Sequence, residues 1–345
     1  MLDALAREIG LQKEFFQDTA PLQTIYFGGG TPSLLTGDEI KKLLEKIIAN
    51  FGVAAGAEIT LEANPDDLSG DKLKAFHEAG VNRLSIGVQS FDDADLKWMN
   101  RVHSASEAAA SVKRAQDAGF GNITIDLIYG TPLLDDEQWK KNLVTASDLR
   151  VQHLSCYALT VEPRTALAHS IAAKKIAGVD DAKQARHFEL LMDFAEHNGI
   201  EQYEISNFAI DGHYSRHNSA YWQGEKYLGI GPSAHSFNGE SRQWNIRNNH
   251  EYIRAIGGGK IPFDRETLTL QNRFNEYVMT TLRTMQGSNL DTLREKFGNE
   301  NAEKFFGQAL EQVDGGFMIQ KNRNFILTRK GKLFADRIAA EFFMV

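Results

Sequence analysis

Cysteine is all but missing from this chain. Its 345 residues contain one, Cys156, which can form no disulfide within the chain. A single thiolate is also too few to hold an iron–sulfur cluster. Cys156 lies in the apolar run His153–Leu159, where it reads as a small buried hydrophobe and not as a reactive thiol. Long apolar runs are missing too: no stretch can span a bilayer and no signal peptide is visible at the N-terminus. A cytoplasmic protein with no transmembrane segment is the expectation. Positive charge is in short supply. The formal net charge of −8 disfavours a general nucleic-acid binder, which needs a basic face. There is no exact internal repeat and no low-complexity segment.

What is present suffices for a large fold. Hydrophobic residues make up 42% and charged residues 24%, enough for one large core and a smaller second domain. The chain is organised around Gln23–Ser33, QTIYFGGGTPS. Thr24 to Phe27 alternates β-branched and aromatic residues and predicts a strand. Gly28, Gly29 and Gly30 follow it, then Thr31 and Pro32. A strand that empties into glycines brings bare backbone to whatever sits at its end, and in a β/α barrel that end is the ligand end. Alone, the same run describes a strand-to-helix turn with no ligand; the later strand ends change that.

Helical spacing predicts a helix over Leu2–Phe16, and others over Asp38–Ala49, Gly70–Ala79, Ser104–Ala118, Glu137–Leu149 and Ala182–Asn198. Strands are expected at Thr24–Phe27, Glu58–Ala63, Arg83–Gln89, Asn122–Tyr129, His153–Thr160 and Gln202–Asn207. This alternation belongs to a parallel sheet, open or closed into a barrel. Ile210–Asn249, rich in Gly, His, Trp, Tyr and Asn, has little periodicity and reads as a long functional loop or lid. Helices return at Asn272–Met285, Leu290–Phe297 and Ala302–Val313. A hairpin of Phe317–Gln320 and Asn324–Thr328 follows, then a last helix over Arg329–Phe343. The division is therefore 1–209 as a barrel-like α/β domain, 210–266 as a loop and linker region, and 267–345 as a small winged-helix-like α+β domain. The wing is basic, with Lys321, Arg323, Arg329, Lys330 and Lys332, yet in an acidic chain it reads as a solvated packing module.

The strand ends carry the chemistry. They supply Gly29, Gly30 and Thr31, then Glu62, then Gln89 with Arg101 nearby, then Asp126, then Tyr157, Ala158 and Thr160. Placed on successive strands, such groups converge at one mouth of a barrel. Carboxylates there can hold hydroxyls and an ammonium, and an arginine can hold a carboxylate, so a polar, zwitterionic ligand is indicated. An ordinary barrel lyase using Asp126 or Glu62 as acid or base is the class-level alternative. His213 and His217 have a spacing that would suit a metal on a helix, although the residues between them do not look helical.

Taken together, FGGGTPS, LEANP, LSIGVQSF, IDLIYGTP and CYALTVEP resemble, in this order, the radical S-adenosylmethionine proteins related to oxygen-independent coproporphyrinogen III oxidase. RHNSAYW at Arg216–Trp222, followed by YLGIGPSAHSF, is similar to the haem-chaperone branch, the HemW type. The resemblance runs from about Leu2 to the C-terminus. It implies a partial (β/α)6 TIM-like barrel with S-adenosylmethionine across its mouth. By that resemblance Gly29, Gly30 and Thr31 line the methionine end. Glu62, Gln89, Arg101 and Asp126 contact the rest of the cofactor, and Ala158 lies near the adenine. The resemblance also makes His217 a haem ligand, with Tyr221 and Trp222 packing on the macrocycle and His235 as a further polar group beside it. Against this stands a structural role in which His217 and Asn218 only pin a loop.

The family's first strand and its CxxxCxxC loop, whose thiolates hold a [4Fe–4S] cluster, have no counterpart here. The barrel is accordingly expected to lack its first strand, and the cysteine loop is expected to be encoded upstream of Met1; natural loss of the cluster is the alternative. The resemblance favours a chaperone that passes haem to acceptor proteins over an oxidase of porphyrin biosynthesis. A homodimer is one expectation for its assembly.

Overall fold

The computed structural model describes residues 1–16, 20–210 and 212–344. Its contacts divide the chain into two units: Met1–Ile25 with Gly37–Glu58 and Arg216–Val345, and Tyr26–Thr36 with Ile59–Ser215. The units interleave along the chain, whereas the division at 209 and 266 is linear.

The main sheet has seven strands: β1 (Leu22–Phe27), β2 (Val53–Ala63), β3 (Arg83–Gln89), β4 (Ile123–Tyr129), β5 (His153–Ala158), β6 (Glu201–Glu204) and β7 (Asn207–Ala209). Their order, β1-β2-β3-β4-β5-β7-β6, is linear, so the sheet is open and does not close on itself. β2 through β5 are parallel neighbours, as the strand–helix alternation predicts. The expected single strand Gln202–Asn207 is instead a hairpin. β6 and β7 pair antiparallel, and β7 pairs antiparallel with β5. The reason is the connection: only Ile205 and Ser206 separate the two strands, and a link that short permits only an antiparallel return.

Side-chain alternation gives this sheet two unlike faces. Leu84, Ile86, Val88, Ile123, Ile125, Leu127, Leu154 and Cys156 point one way and are almost fully buried. They are buried along with Leu73 and Phe76, Val112 and Ala115, and Trp139 and Leu143 of the intervening helices Gly70–Ala79, Ala105–Asp117 and Asp136–Asp148. Each such aliphatic side chain contributes about 1.5–3 kcal/mol. The residues between them, Arg83, Ser85, Thr124, Asp126, His153 and Ser155, take the opposite face. There they bond one another: Arg83 to Thr124, Thr124 to His153 at 3.0 Å, and Ser85 to Asp126 at 3.3 Å. One face makes the core and the other is polar.

In the other unit the first helix ends at Leu11 and does not run on to Phe16. Phe16 leaves the helical path to pack edge-on against Phe51, ring centroids 6.0 Å apart. The helix Leu2–Leu11 carries a fully buried carboxylate, Glu8, which accepts from the Tyr252 hydroxyl, from Asn245 Nδ2 at 2.6 Å and from the Gly231 amide at 2.8 Å. Several donors satisfy the charge that burial would otherwise make costly.

The stretch Ile210–Asn249 is more regular than its composition suggests. It holds a short helix, Arg216–Trp222, and strands β8 (His235–Phe237) and β9 (Ser241–Asn245); Asp211 lies outside the described residues. With β10 (Phe263–Thr267) these strands form a three-stranded antiparallel sheet in the order β10-β9-β8. The C-terminal part follows the winged-helix order. The helix Leu270–Leu282, β11 (Ser288–Asn289), the helices Leu290–Phe297 and Asn299–Asp314, and the hairpin of β12 (Met318–Lys321) and β13 (Asn324–Leu327) succeed one another. The expected last helix is broken into Arg329–Lys332 and Ala335–Glu341, because Phe334 turns aside to meet Phe317 at 5.9 Å. The basic wing is partly consumed within its own module: Arg323 pairs with Asp291 at 3.4 Å and Lys330 lies 3.9 Å over the Phe317 ring.

Candidate functional site

The polar face of the main sheet gathers a carboxylate cluster. Tyr26, on β1, donates its hydroxyl to Glu62 Oε1 at 2.7 Å, and the Gly29 amide donates to Glu62 Oε2 at 3.2 Å. Both oxygens of Glu62 are thereby turned toward the glycine turn. That approach needs Gly28: a Cβ there would sit 2.5 Å from a Tyr26 ring carbon and 2.9 Å from Glu62 Oε1. Gly29 and Gly30 adopt φ of 75° and 92°, which a side chain would strain, and open space lies beside them. The turn is tied down one step later. Ser33 donates to Asp67 Oδ2 at 2.6 Å and accepts from the Asn64 amide at 3.3 Å, which fixes the turn to the end of β2. Thr31 begins this anchored segment, directly before the single turn Pro32–Leu34.

Asp126 faces the same cluster from β4. Burial, then the charge of Glu62, push its carboxyl up to about 7, while Ser85, Arg83 and Ser155 draw it back. Burial and Glu62 likewise hold the Tyr26 hydroxyl well above its ordinary range. Arg101 is drawn down by burial and up by the charges of Asp66 and Asp126, so it belongs to the same electrostatic neighbourhood. Gln89 closes β3 with φ of 67°, and its amide folds back over Gly87, where a Cβ would lie only 2.8 Å away. Ala158 is the last residue of β5, opposite Tyr129. Glu62, Gln89 and Ala158 therefore fall at or next to the last residues of β2, β3 and β5, Asp126 lies in the middle of β4, and Gly29, Glu62, Asp126 and Arg101 are linked by bonds or charge. Tyr26, Ser85 and Ser155 complete the cluster and were missed. Their signal was present as polar letters alternating with apolar ones along β1, β3, β4 and β5.

The second candidate is the helix Arg216–Trp222, in the other unit. Its N-terminal amides are held by one buried carboxylate: Glu58 accepts from Arg216 N at 3.0 Å and from His217 N at 2.9 Å. The Arg216 guanidinium adds bonds to the Gly56 carbonyl at 2.9 Å and to Gln23 Oε1 at 3.1 Å. His217 Nδ1 lies 3.0 Å from Thr24 Oγ1. A row of rings continues from it: His217 to Tyr221 at 5.1 Å, Tyr221 to Tyr227 at 4.5 Å, Tyr227 to Phe237 at 6.2 Å. Trp222 is covered by the Arg283 guanidinium, 5.3 Å from its ring. His213 lies outside this helix. The helical spacing that would bring it beside His217 is therefore not formed, and among the described residues no group of three His, Cys, Asp or Glu is arranged to hold a metal ion. Thr24 and Glu58 were missed; nothing local in the sequence links them to His217.

A profile of the Radical SAM superfamily matches residues 6–144. The chain is 35% identical to the "Heme chaperone HemW" of Bacillus subtilis over 323 residues, covering 93% of this chain and 85% of that protein. It is 34% identical over 327 residues to the protein of the same name from Lactococcus lactis, covering 94% and 85%. Its fold matches the solved coproporphyrinogen III oxidase (HemN) from Escherichia coli, a radical SAM enzyme, with a TM-score of 0.83 and 24% identity over 99% of this chain and 82% of that one. The sheet is thus the curled partial barrel of the radical SAM fold, as expected, with β1 last in the order of its described strands. Among the described residues no helix is long and apolar enough to cross a membrane. By extent and identity of the match, the chain belongs to the HemW family of the radical SAM superfamily.

Proposed function

We propose that this protein binds haem and delivers it to acceptor haemoproteins, as a carrier and not as an enzyme with its own turnover. The observation that carries the proposal is the anchoring of His217. Its Nδ1 lies 3.0 Å from the Thr24 hydroxyl, which fixes the direction of an imidazole that would hold the haem iron. A metal-binding imidazole held through its second nitrogen is the usual arrangement, because the partner sets tautomer and ring direction. Tyr221 and Trp222, on the same helix, offer flat apolar area for a macrocycle. The names of the Bacillus and Lactococcus relatives support the same function.

S-adenosylmethionine belongs, in the same proposal, on the polar face of the main sheet. Gly29, Gly30 and Thr31 would receive its methionine end, Glu62, Gln89, Arg101 and Asp126 the remainder, and Ala158 the adenine. The fit is favourable. Glu62 and Asp126 offer acceptors for an ammonium and for hydroxyls, and Gly29 and Gly30 leave open space where a side chain would otherwise stand. A [4Fe–4S] cluster, which the superfamily uses to supply an electron to that cofactor, does not fit these residues. The one cysteine, Cys156, is buried on the apolar face of β5, where burial raises its thiol well above the usual range. No reductive step is assigned to this chain.

Haem is titrated into the protein and into His217→Ala while the Soret band is followed. A shifted band in the wild type and a weakened one in the variant are expected; identical spectra and affinities would remove His217 from the site.

A further inference from the structure

We propose that the carboxylate-bearing edge of the tetrapyrrole is gripped in a pocket on the sheet β8–β9–β10, a site separate from the Arg216–Trp222 helix. This rests on the haem-binding function proposed above. The pocket holds about 560 Å³, and its lining includes Tyr227, His235, Arg242, Trp244, Arg247 and Glu266. That volume lies within the range of small-molecule sites.

Strand pairing accounts for the lining. β9 is the middle strand, and Arg242 and Trp244, two residues apart, point to one face. Trp244 stands opposite His235, and Arg242 stands between Phe237 and Glu266. Ser241, Gln243 and Asn245 are buried on the other face. The His235 and Trp244 rings stack on each other, 6.1 Å apart and 30° from parallel, so a pair of rings stands on the open face. His235 and Arg247 are exposed.

Rings beside guanidinium groups select a flat ligand that carries carboxylates. Trp and Tyr give stacking area, and the arginine fork matches a carboxylate. Arg242 already pairs with Glu276 at 3.0 Å and faces Glu266 across the strands, so Arg247, past the end of β9, supplies the cation. Tyr227 ties this pocket to the haem segment through its contact with Tyr221 at 4.5 Å. The two sites divide the work: His217 would take the metal at the ring centre, and the pocket the carboxylate-bearing edge.

Haem and iron-free protoporphyrin IX are titrated separately into the full chain and into Trp244→Ala, Arg247→Ala, Glu266→Gln and His217→Ala. Trp244→Ala and Arg247→Ala should each weaken both ligands about tenfold. Glu266→Gln, which removes a carboxylate facing the ligand's own, should tighten both. His217→Ala should weaken haem but leave the iron-free ligand unchanged, which a purely structural role for the pocket does not predict. Arg247 is exposed, so its removal reads on binding and not on folding. If the wild type binds haem while Trp244→Ala and Arg247→Ala keep wild-type affinity, the pocket is overturned and the haem function stands. If the wild type binds no haem, both fall.

Discussion

His217 Nδ1 lies 3.0 Å from the Thr24 hydroxyl, across 193 residues of sequence. The first strand thus sets the ring of the residue proposed to bind iron. Thr24→Val keeps the side-chain shape and removes the hydroxyl. Haem affinity, read from the Soret band, should fall about tenfold, the lower end of what loss of a ligand's supporting hydrogen bond costs. Unchanged affinity would show that the ring needs no such support.

Glu58 holds two helix-terminal amides with one carboxylate, at 3.0 and 2.9 Å. Glu58→Ala leaves both amides of Arg216 and His217 without this acceptor. Chemical denaturation should report a loss of about 1–2 kcal/mol, comparable to removal of a helix cap. Glu58→Gln, which keeps volume and an acceptor oxygen, should cost less. Equal stability of all three proteins would mean that the helix is held by other contacts.

Gly28 and Gly70 make a paired test of the glycine turn. A Cβ at Gly28 would press on Tyr26 and Glu62 at 2.5 and 2.9 Å, whereas one at Gly70 meets nothing within 4 Å. Gly28→Ala should destabilise the protein by about 1–3 kcal/mol and weaken S-adenosylmethionine binding in calorimetry. Gly70→Ala should be neutral or stabilising by about 0.4–1 kcal/mol, since it only stiffens the unfolded chain. The same result for both would mean that Tyr26 and Glu62 are not fixed against the turn.

Asp126 makes stability fall as pH rises. Its folded carboxyl is raised to about 7, chiefly by burial and then by Glu62, above the ordinary unfolded value. Between the unfolded value and about 7 the native state binds the extra proton, so each pH unit upward costs at most about 1.4 kcal/mol. Above the folded value the loss is complete. Asp126→Asn should remove this dependence, so the wild-type and variant unfolding curves should separate most above neutral pH. A constant difference across that window would place Asp126 in a more solvated setting.

Much of the main sheet could be read from letters alone, because a strand's side chains alternate with a period of two wherever one face is buried. LSIGVQ and ITIDLIY announce both the strands and their polar residues, and a run of glycines after Phe27 announces a turn with bare backbone. Those features are local, so periodicity reports them. The same alternation marks Glu62 and Asp126 as polar residues within parallel strands β2 and β4.

Other features depend on residues far apart in the chain. Nothing near Arg216 names Glu58 or Thr24 as its neighbours, and nothing in His235 names Trp244. Composition made Ile210–Asn249 look irregular, yet strand pairing with β10 gives its second half a register. β7 turned out antiparallel because a two-residue link leaves no room for a crossover. Packing and long-range pairing settle such matters, since a hydrogen bond across many residues leaves no trace in the spacing of either partner's own segment.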